Sequence, residues 1–134
     1  MKVQWSISDL AQEFDLTTRT IRHYEDEGLL QPQRQGGQRI YGPRERTRLK
    51  LIMRGRRLGF SLAECRELIE LYDPVGDNRT QLQKLLEKIA ERRQQLAQQR
   101  KDIEIIEDEL VLAEQRCQLA MQSFSHAMEK ESSR

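Results

Sequence analysis

Between Asn78 and Ser123 the chain has no proline and no glycine, and the helix formers Gln, Glu, Leu, Arg and Ala dominate. Apolar residues recur there at Leu82, Leu86, Ile89, Leu96, Ile103, Ile106, Leu110, Ala113, Cys117, Ala120 and Phe124. The steps alternate between three and four residues, the period of a coiled coil. Arg93 and Arg100 fall on the seam, and the step from Ile103 to Ile106 to Leu110 breaks the phase once. About 45 helical residues at 1.5 Å each span about 67 Å. Such a helix cannot bury its stripe on one small domain. A second copy of the chain is the expected partner, with Leu82, Leu86, Ile89, Leu96, Ile103, Ile106, Leu110 and Cys117 in the seam. A helix folded back on its own domain is the alternative. Residues 126–134 are polar and expected to fray.

The other end of the chain differs in charge. Residues 1–60 hold 12 Lys/Arg against 7 Asp/Glu, net +5, while residues 61–134 hold 11 against 15, net −4. From Arg34 to Arg57 nine basic side chains stand against a single acid, Glu45. A compact unit with that bias attracts a polyanion, duplex DNA first among them. A solvated surface helix would explain the arginines but not the helical punctuation upstream.

That punctuation is dense. Ser6-Ile7-Ser8-Asp9 has the form of a capping box, with Trp5 and Leu10 as a hydrophobic staple, and predicts a first helix over about 7–13. Asp15-Leu16 makes a tight turn. Thr17 caps a second helix with Ile21 and Tyr24 on one face and Arg19 and Arg22 on another, and Gly28 ends it. Gly36-Gly37, between polar runs at 31–34 and 38–41, reads as a small hairpin or wing. Pro43 opens a third helix, running to Leu58, with Leu49, Ile52, Met53 and Leu58 as its apolar stripe. Ser61 to Glu64 forms a second capping box for a fourth helix carrying Leu62, Cys65, Leu68, Ile69 and Tyr72. Residues 73–77 break that helix and mark the boundary, and Asn78 is placed to cap the last helix. The expected fold is mainly α: a DNA-binding domain over 1–73, a dimerisation helix over 74–125 and a polar tail over 126–134.

Other classes are disfavoured. No apolar run approaches a membrane span and no signal-peptide pattern opens the chain, so a cytoplasmic protein without a membrane partner is expected. Cys65 and Cys117 lie 52 residues apart, with no Cys-x-x-Cys and no nearby His. They are expected to be small apolar residues rather than a disulfide or a metal site. No cofactor is implied. No Ser/His/Asp set, paired-carboxylate cleft or phosphate-cradling glycine loop is visible, so an enzyme is not expected.

Three motifs stand in order. Thr-x-Arg-x-Ile-Arg-x-Tyr-Glu-x-x-Gly-Leu-Leu runs from Thr17 to Leu30, Arg39-x-Tyr41 ends the wing, and Arg57-Leu58-Gly59-Phe60-Ser61-Leu62 precedes the fourth helix. With the long terminal helix, they resemble the MerR family of bacterial transcription regulators. The resemblance implies a winged helix-turn-helix joined to an antiparallel coiled coil that makes a homodimer. Such a dimer binds a pseudo-palindromic operator in double-stranded promoter DNA and distorts it, so that RNA polymerase is held off or helped. It also implies recognition-helix contacts from Thr18, Arg19, Arg22 and Tyr24, wing contacts from Arg39 and Tyr41, and backbone contacts from Arg54 and Arg57. Arg19 is then placed for a guanine edge, and Thr18 and Tyr24 for phosphates. Tyr24 as a core residue with its hydroxyl at the surface is the alternative.

Metal-sensing members of the family resemble one another in a cysteine at the start of the long helix and a cysteine-bearing loop after it. Here position 78 is Asn, and Cys117 has no second thiol near it. Redox-sensing members need four clustered ligands. Drug-sensing members carry a C-terminal ligand domain that this length does not accommodate. The run Arg48-Leu49-Lys50-Leu51-Ile52-Met53-Arg54-Gly55-Arg56-Arg57, continuing to Glu64, and then Leu71-Tyr72-Asp73-Pro74, is similar to the LiuR group. That group controls leucine, isovalerate and related branched-chain acid breakdown, which implies a repressor of a catabolic operon with a small-molecule effector. Two alternatives stay open: a thiol- or metal-responsive sensor using Cys65 and Cys117 of opposite subunits, and an adaptor that no longer reads DNA.

Overall fold

The computed structural model describes residues 2–132. The elements follow in the order β1 (Trp5–Ser6), α1 (Ile7–Phe14), α2 (Thr18–Asp26), β2 (Gln33–Gln35), β3 (Gln38–Tyr41), α3 (Pro43–Arg57), α4 (Leu62–Leu71) and α5 (Arg79–Ser132).

The caps form as the sequence predicts. Ser6 Oγ accepts the Asp9 amide at 3.0 Å and the Asp9 carboxylate accepts the Ser6 amide at 3.0 Å. Thr17 Oγ1 accepts the Thr20 amide at 3.1 Å. Ser61 and Glu64 repeat the reciprocal pair at the start of α4. Gly36 and Gly37 have φ of 59° and 83°, which a two-residue hairpin turn requires and which side chains resist. Pairing runs Gln35↔Gln38 to Gln33↔Ile40. β2 starts at Gln33, because Pro32 has no N–H and the Gln31 amide is bound to Glu45 Oε2 at 2.9 Å. β1 was not anticipated; it pairs with β3 (Trp5↔Tyr41, Ser6↔Ile40), giving a three-stranded sheet of order β1-β3-β2.

Leu10, Ile21, Leu29, Leu30, Tyr41, Leu49, Ile52, Phe60 and Cys65 form the sealed centre of this N-terminal unit. Leu58, expected in the α3 stripe, is exposed. It caps α3, the chain reverses at Gly59, and Phe60 fills the core instead. At Gly55 the backbones of α3 and α4 approach closely: a Cβ there would stand 2.7 Å from Cys65 Sγ and 3.6 Å from the Phe60 ring. Gly55→Ala is expected to destabilise by about 1–2 kcal/mol, because overpacking costs about 1–3 kcal/mol and alanine regains about 0.5–1 kcal/mol of helix propensity. In a Cys65→Ala background the same change should be neutral or stabilising. Chemical denaturation of the four proteins reads this, and equal losses in both backgrounds would remove the steric explanation.

The chain divides into two compact units, residues 1–87 and 88–134. The division falls inside α5 rather than at the 73–77 break. Gln81 Nε2 donates to the Leu68 carbonyl at 3.0 Å and Lys84 pairs with Glu67 at 3.3 Å, which ties the first turns of α5 to α4. The expected cap also changes. Asn78 adopts φ 57° and turns its amide back on Asp73, while Asp77 Oδ1 accepts the Arg79 amide at 3.0 Å.

Within the second unit the described residues are helical. α5 runs on through His126 to Ser132 instead of fraying near Ser123, since Ala127, Met128, Glu129, Lys130 and Glu131 all favour helix. Residues 133 and 134 lie outside the described residues. Of the expected seam, Leu82, Leu86, Leu96, Ile103, Ile106, Leu110 and Cys117 are exposed in the single chain and Ile89 is half-buried. Ile105, Leu112 and Leu119, spaced by seven, are exposed as well and form a second apolar line that the seam omits. No helix among the described residues is long and apolar enough to cross a membrane.

Candidate nucleic-acid interface

The turn between α1 and α2 is set by left-handed Asp15 (φ 54°) and by the Leu16 amide on the Ala11 carbonyl at 2.8 Å. Leu10 of α1 and Ile21 of α2 are fully buried, and Thr18 is half-buried at the start of α2. The opposite face of α2 presents Arg19, Arg22 and His23 to solvent. The first turn of α2 contains no acid, so the positive end of the helix and the Arg19 guanidinium add rather than cancel. Arg19 and Arg22 have no ion pair or side-chain hydrogen bond among the described residues.

Arg19, Thr20, His23 and Tyr24 join Arg56 of α3 and Leu62 of α4 around a surface recess of about 450 Å³. It offers two guanidiniums, an imidazole and two hydroxyls, and no acid. An oxyanion meets two guanidiniums there and no competing carboxylate. Tyr24 is a core residue, 8% exposed, and burial raises the pKa of its phenol. Its hydroxyl has no partner among the described residues and is not sealed from solvent, which is the alternative reading of this residue. Arg56 is fixed by donating Nη1 to the Phe60 carbonyl at 2.9 Å.

The wing departs from expectation. Glu25, near the end of α2, accepts Arg39 Nε at 2.8 Å and the Tyr41 hydroxyl at 3.3 Å, both on Oε2. Tyr41 is fully buried, so it does not present a surface to a duplex. Its pKa is pushed up to about 12, first by burial and then by the Glu25 carboxylate, with Arg39 and Arg22 opposing. Arg39 is pinned inward as well, with about a quarter of its side chain exposed. A half-buried carboxylate requires such donors, and Glu25 thereby tethers β3 to α2. Sequence reasoning missed that role: Glu25, Asp26 and Glu27 follow Tyr24 in a row, and nothing local singles out Glu25 among them. The free cation of the wing is Arg34, exposed on β2 and without a partner among the described residues.

Charge counting overstated the basic face. Of the nine cations from Arg34 to Arg57, five are engaged internally. Arg39 binds Glu25, Arg44 pairs with Glu45 at 3.1 Å, Arg48 donates to the Leu29 carbonyl at 3.1 Å, and Arg56 donates to Phe60. Arg46 grips Glu13 with both arms of its guanidinium and lies 5.3 Å over the Trp5 ring, which holds the Glu13 carboxyl below its usual range. Arg34, Lys50, Arg54 and Arg57 remain. Arg54 and Arg57 are exposed in the last turn of α3, where cations suit the helix dipole.

Residues 5–71 match the MerR HTH family regulatory protein and residues 46–113 match the MerR DNA-binding region. Over 115 residues the chain is 32% identical to the HTH-type transcriptional regulator CueR of Salmonella typhi, covering 84% of this chain and 80% of that protein. The chain belongs to the MerR family. Its fold is similar to that of a MerR family transcriptional regulator from Bacillus cereus, with a TM-score of 0.62, 28% identity and coverage of 78% and 75% of the two chains. It also shares the fold of HiNmlR, a MerR family regulator lacking the sensor domain, bound to promoter DNA. There the TM-score is 0.55, the identity 21% and the coverage 75% and 79%. As a MerR-type chain it is a DNA-binding transcription regulator, not an enzyme.

The cysteines of this MerR chain are unlike in setting. Cys65 is buried between α3 and α4, with Sγ 3.8 Å from the Ile52 carbonyl, and Cys117 is exposed on α5. No group of three or more His, Cys, Asp or Glu among the described residues is placed to hold a metal ion.

Proposed function

We propose that this chain acts as a homodimer that reads a pseudo-palindromic site in promoter DNA and distorts it, altering access of RNA polymerase. The observation that carries the reading is the acid-free start of α2, with Arg19 and Arg22 unpaired among the described residues and Arg19 lining an acid-free recess. In this reading Arg19 meets a base edge, and Thr18, Arg22 and the Tyr24 hydroxyl meet the backbone. Arg54 and Arg57 meet flanking phosphates, and Arg34 joins Arg39 in the wing while Tyr41 holds that wing in place. Residues 1–73 read DNA. Residues 74–125 pair the subunits as an antiparallel coiled coil, a role supported by the exposed line from Leu82 to Cys117. The LiuR-like run favours repression of a branched-chain acid operon under a small-molecule effector, in the cytoplasm where promoters are. Burial of Cys65 weighs against a Cys65–Cys117 sensor.

Salt dependence tests the backbone contacts. Log affinity should fall with log salt by about 0.9 per phosphate contact. Arg54→Ala and Arg57→Ala should each flatten that slope while sequence preference is kept. Binding that ignores salt contradicts the reading.

A further inference from the structure

A second recess, of about 560 Å³, lies between α3 and α4, lined by residues outside the set assigned to DNA. Its volume is that of a small-molecule site. Ile69, Tyr72 and Pro74 supply apolar wall, and Arg44, Thr47 and Arg48 supply one turn of α3. Arg44 and Arg48 are like charges at i, i+4, against Glu70 as the single acid of the lining. Burial, and then the neighbouring Arg44, hold the Arg48 guanidinium below the usual arginine range. Arg48 uses one donor on the Leu29 carbonyl and Arg44 uses one on Glu45, and their other guanidinium N–H groups have no hydrogen bond among the described residues. Two guanidiniums against one carboxylate in the lining, beside an apolar wall, favour an anion with a hydrocarbon body.

We propose that this recess binds a small aliphatic monocarboxylate, with its carboxylate on Arg44 and Arg48 and its tail against Ile69, Tyr72 and Pro74. The site is wired to the segment joining α2 to the wing. Arg48 holds the Leu29 carbonyl, and Arg44 holds Glu45, whose other oxygen accepts the Gln31 amide at 2.9 Å. A carboxylate that competes for Arg44 and draws on Arg48 shifts residues 29–31, and with them the angle between recognition helix and wing. This regulatory consequence rests on the proposed DNA reading; the binding itself does not.

The test titrates the full chain with hexanoate and with hexanamide, its neutral counterpart, by calorimetry and amide NMR. Hexanoate should give saturable shifts at Thr47, Ile69 and Tyr72. Hexanamide should bind about tenfold more weakly, the difference of one charge-assisted contact. Arg44→Gln, a change at an exposed side chain, should weaken hexanoate by a similar factor, and Arg44→Lys should restore part of the loss. Equal binding of acid and amide, no saturable shift, shifts confined to α5, or hexanoate affinity intact in Arg44→Gln would each overturn the site. Hexanoate that binds without changing operator affinity overturns the regulatory consequence, in a protein whose DNA binding is verified separately.

Discussion

A chain carrying lysine at both Ile103 and Leu110 is expected to keep its N-terminal fold and to sediment as a monomer at micromolar concentration. Both side chains are exposed in the single chain, at 56% and 63%, so their replacement disturbs no buried core within it. In a dimer each subunit would bury both. Burying such a side chain is worth about 1.5–3 kcal/mol, and four sites per dimer act together, so the dissociation constant should rise on the order of a thousandfold or more. Operator binding should fall with it, because a monomer engages one half-site. The check is sedimentation of wild type and variant, with circular dichroism to confirm that helix persists. A wild-type chain that is monomeric under these conditions contradicts the proposed pairing.

The second large effect concerns Glu25. Glu25→Ala removes the acceptor of both Arg39 and the buried Tyr41 hydroxyl. A buried donor left without a partner costs about 1–3 kcal/mol, and stability should fall by that order. The wing is also released from α2, so affinity should drop on cognate and random duplex together. Glu25→Gln keeps an acceptor for Tyr41 and should lose less. The same cluster sets an alkaline limit. The folded pKa of Tyr41, about 12, lies above the ordinary phenol value of 10.0. The protonated phenol is therefore the form that the fold favours. Its contribution is fully present below pH 10 and is lost as pH rises towards 12. Denaturation of Tyr41→Phe against pH should lack that component.

Local signals were legible wherever a residue type answers a backbone need. Ser6 with Asp9, Thr17, Gly36-Gly37, Pro43 and Ser61 with Glu64 each satisfy a cap or turn that few other residues satisfy, and the structure places each there. β1 was invisible, because two residues cannot show an alternation and Trp5 already served the staple reading. The site was half legible. Arg19 and Arg22 follow from helical phase, since burying Ile21 turns them outward. Arg39 and Tyr41 do not, because their direction is decided by Glu25, 14 and 16 residues away. The arginines of α3 looked alike in sequence, and only tertiary partners separate Arg46 and Arg48 from Arg54 and Arg57. The cap of α5 failed for a similar reason: Asn78 and Asp77 are both capable caps, and the loop at 73–77 claims the first.

In the proposed function α2 reads sequence through Arg19. An arginine can donate two hydrogen bonds to one guanine, a geometry that lysine does not reproduce. The direct measurement is a pair of titrations of wild type and Arg19→Ala, on the cognate operator and on a scrambled duplex, at one fixed salt concentration. Arg19→Ala should lose about 1–3 kcal/mol on the operator and much less on the scrambled duplex, narrowing the gap between them. Equal losses on the two duplexes would contradict it and would make Arg19 a backbone contact.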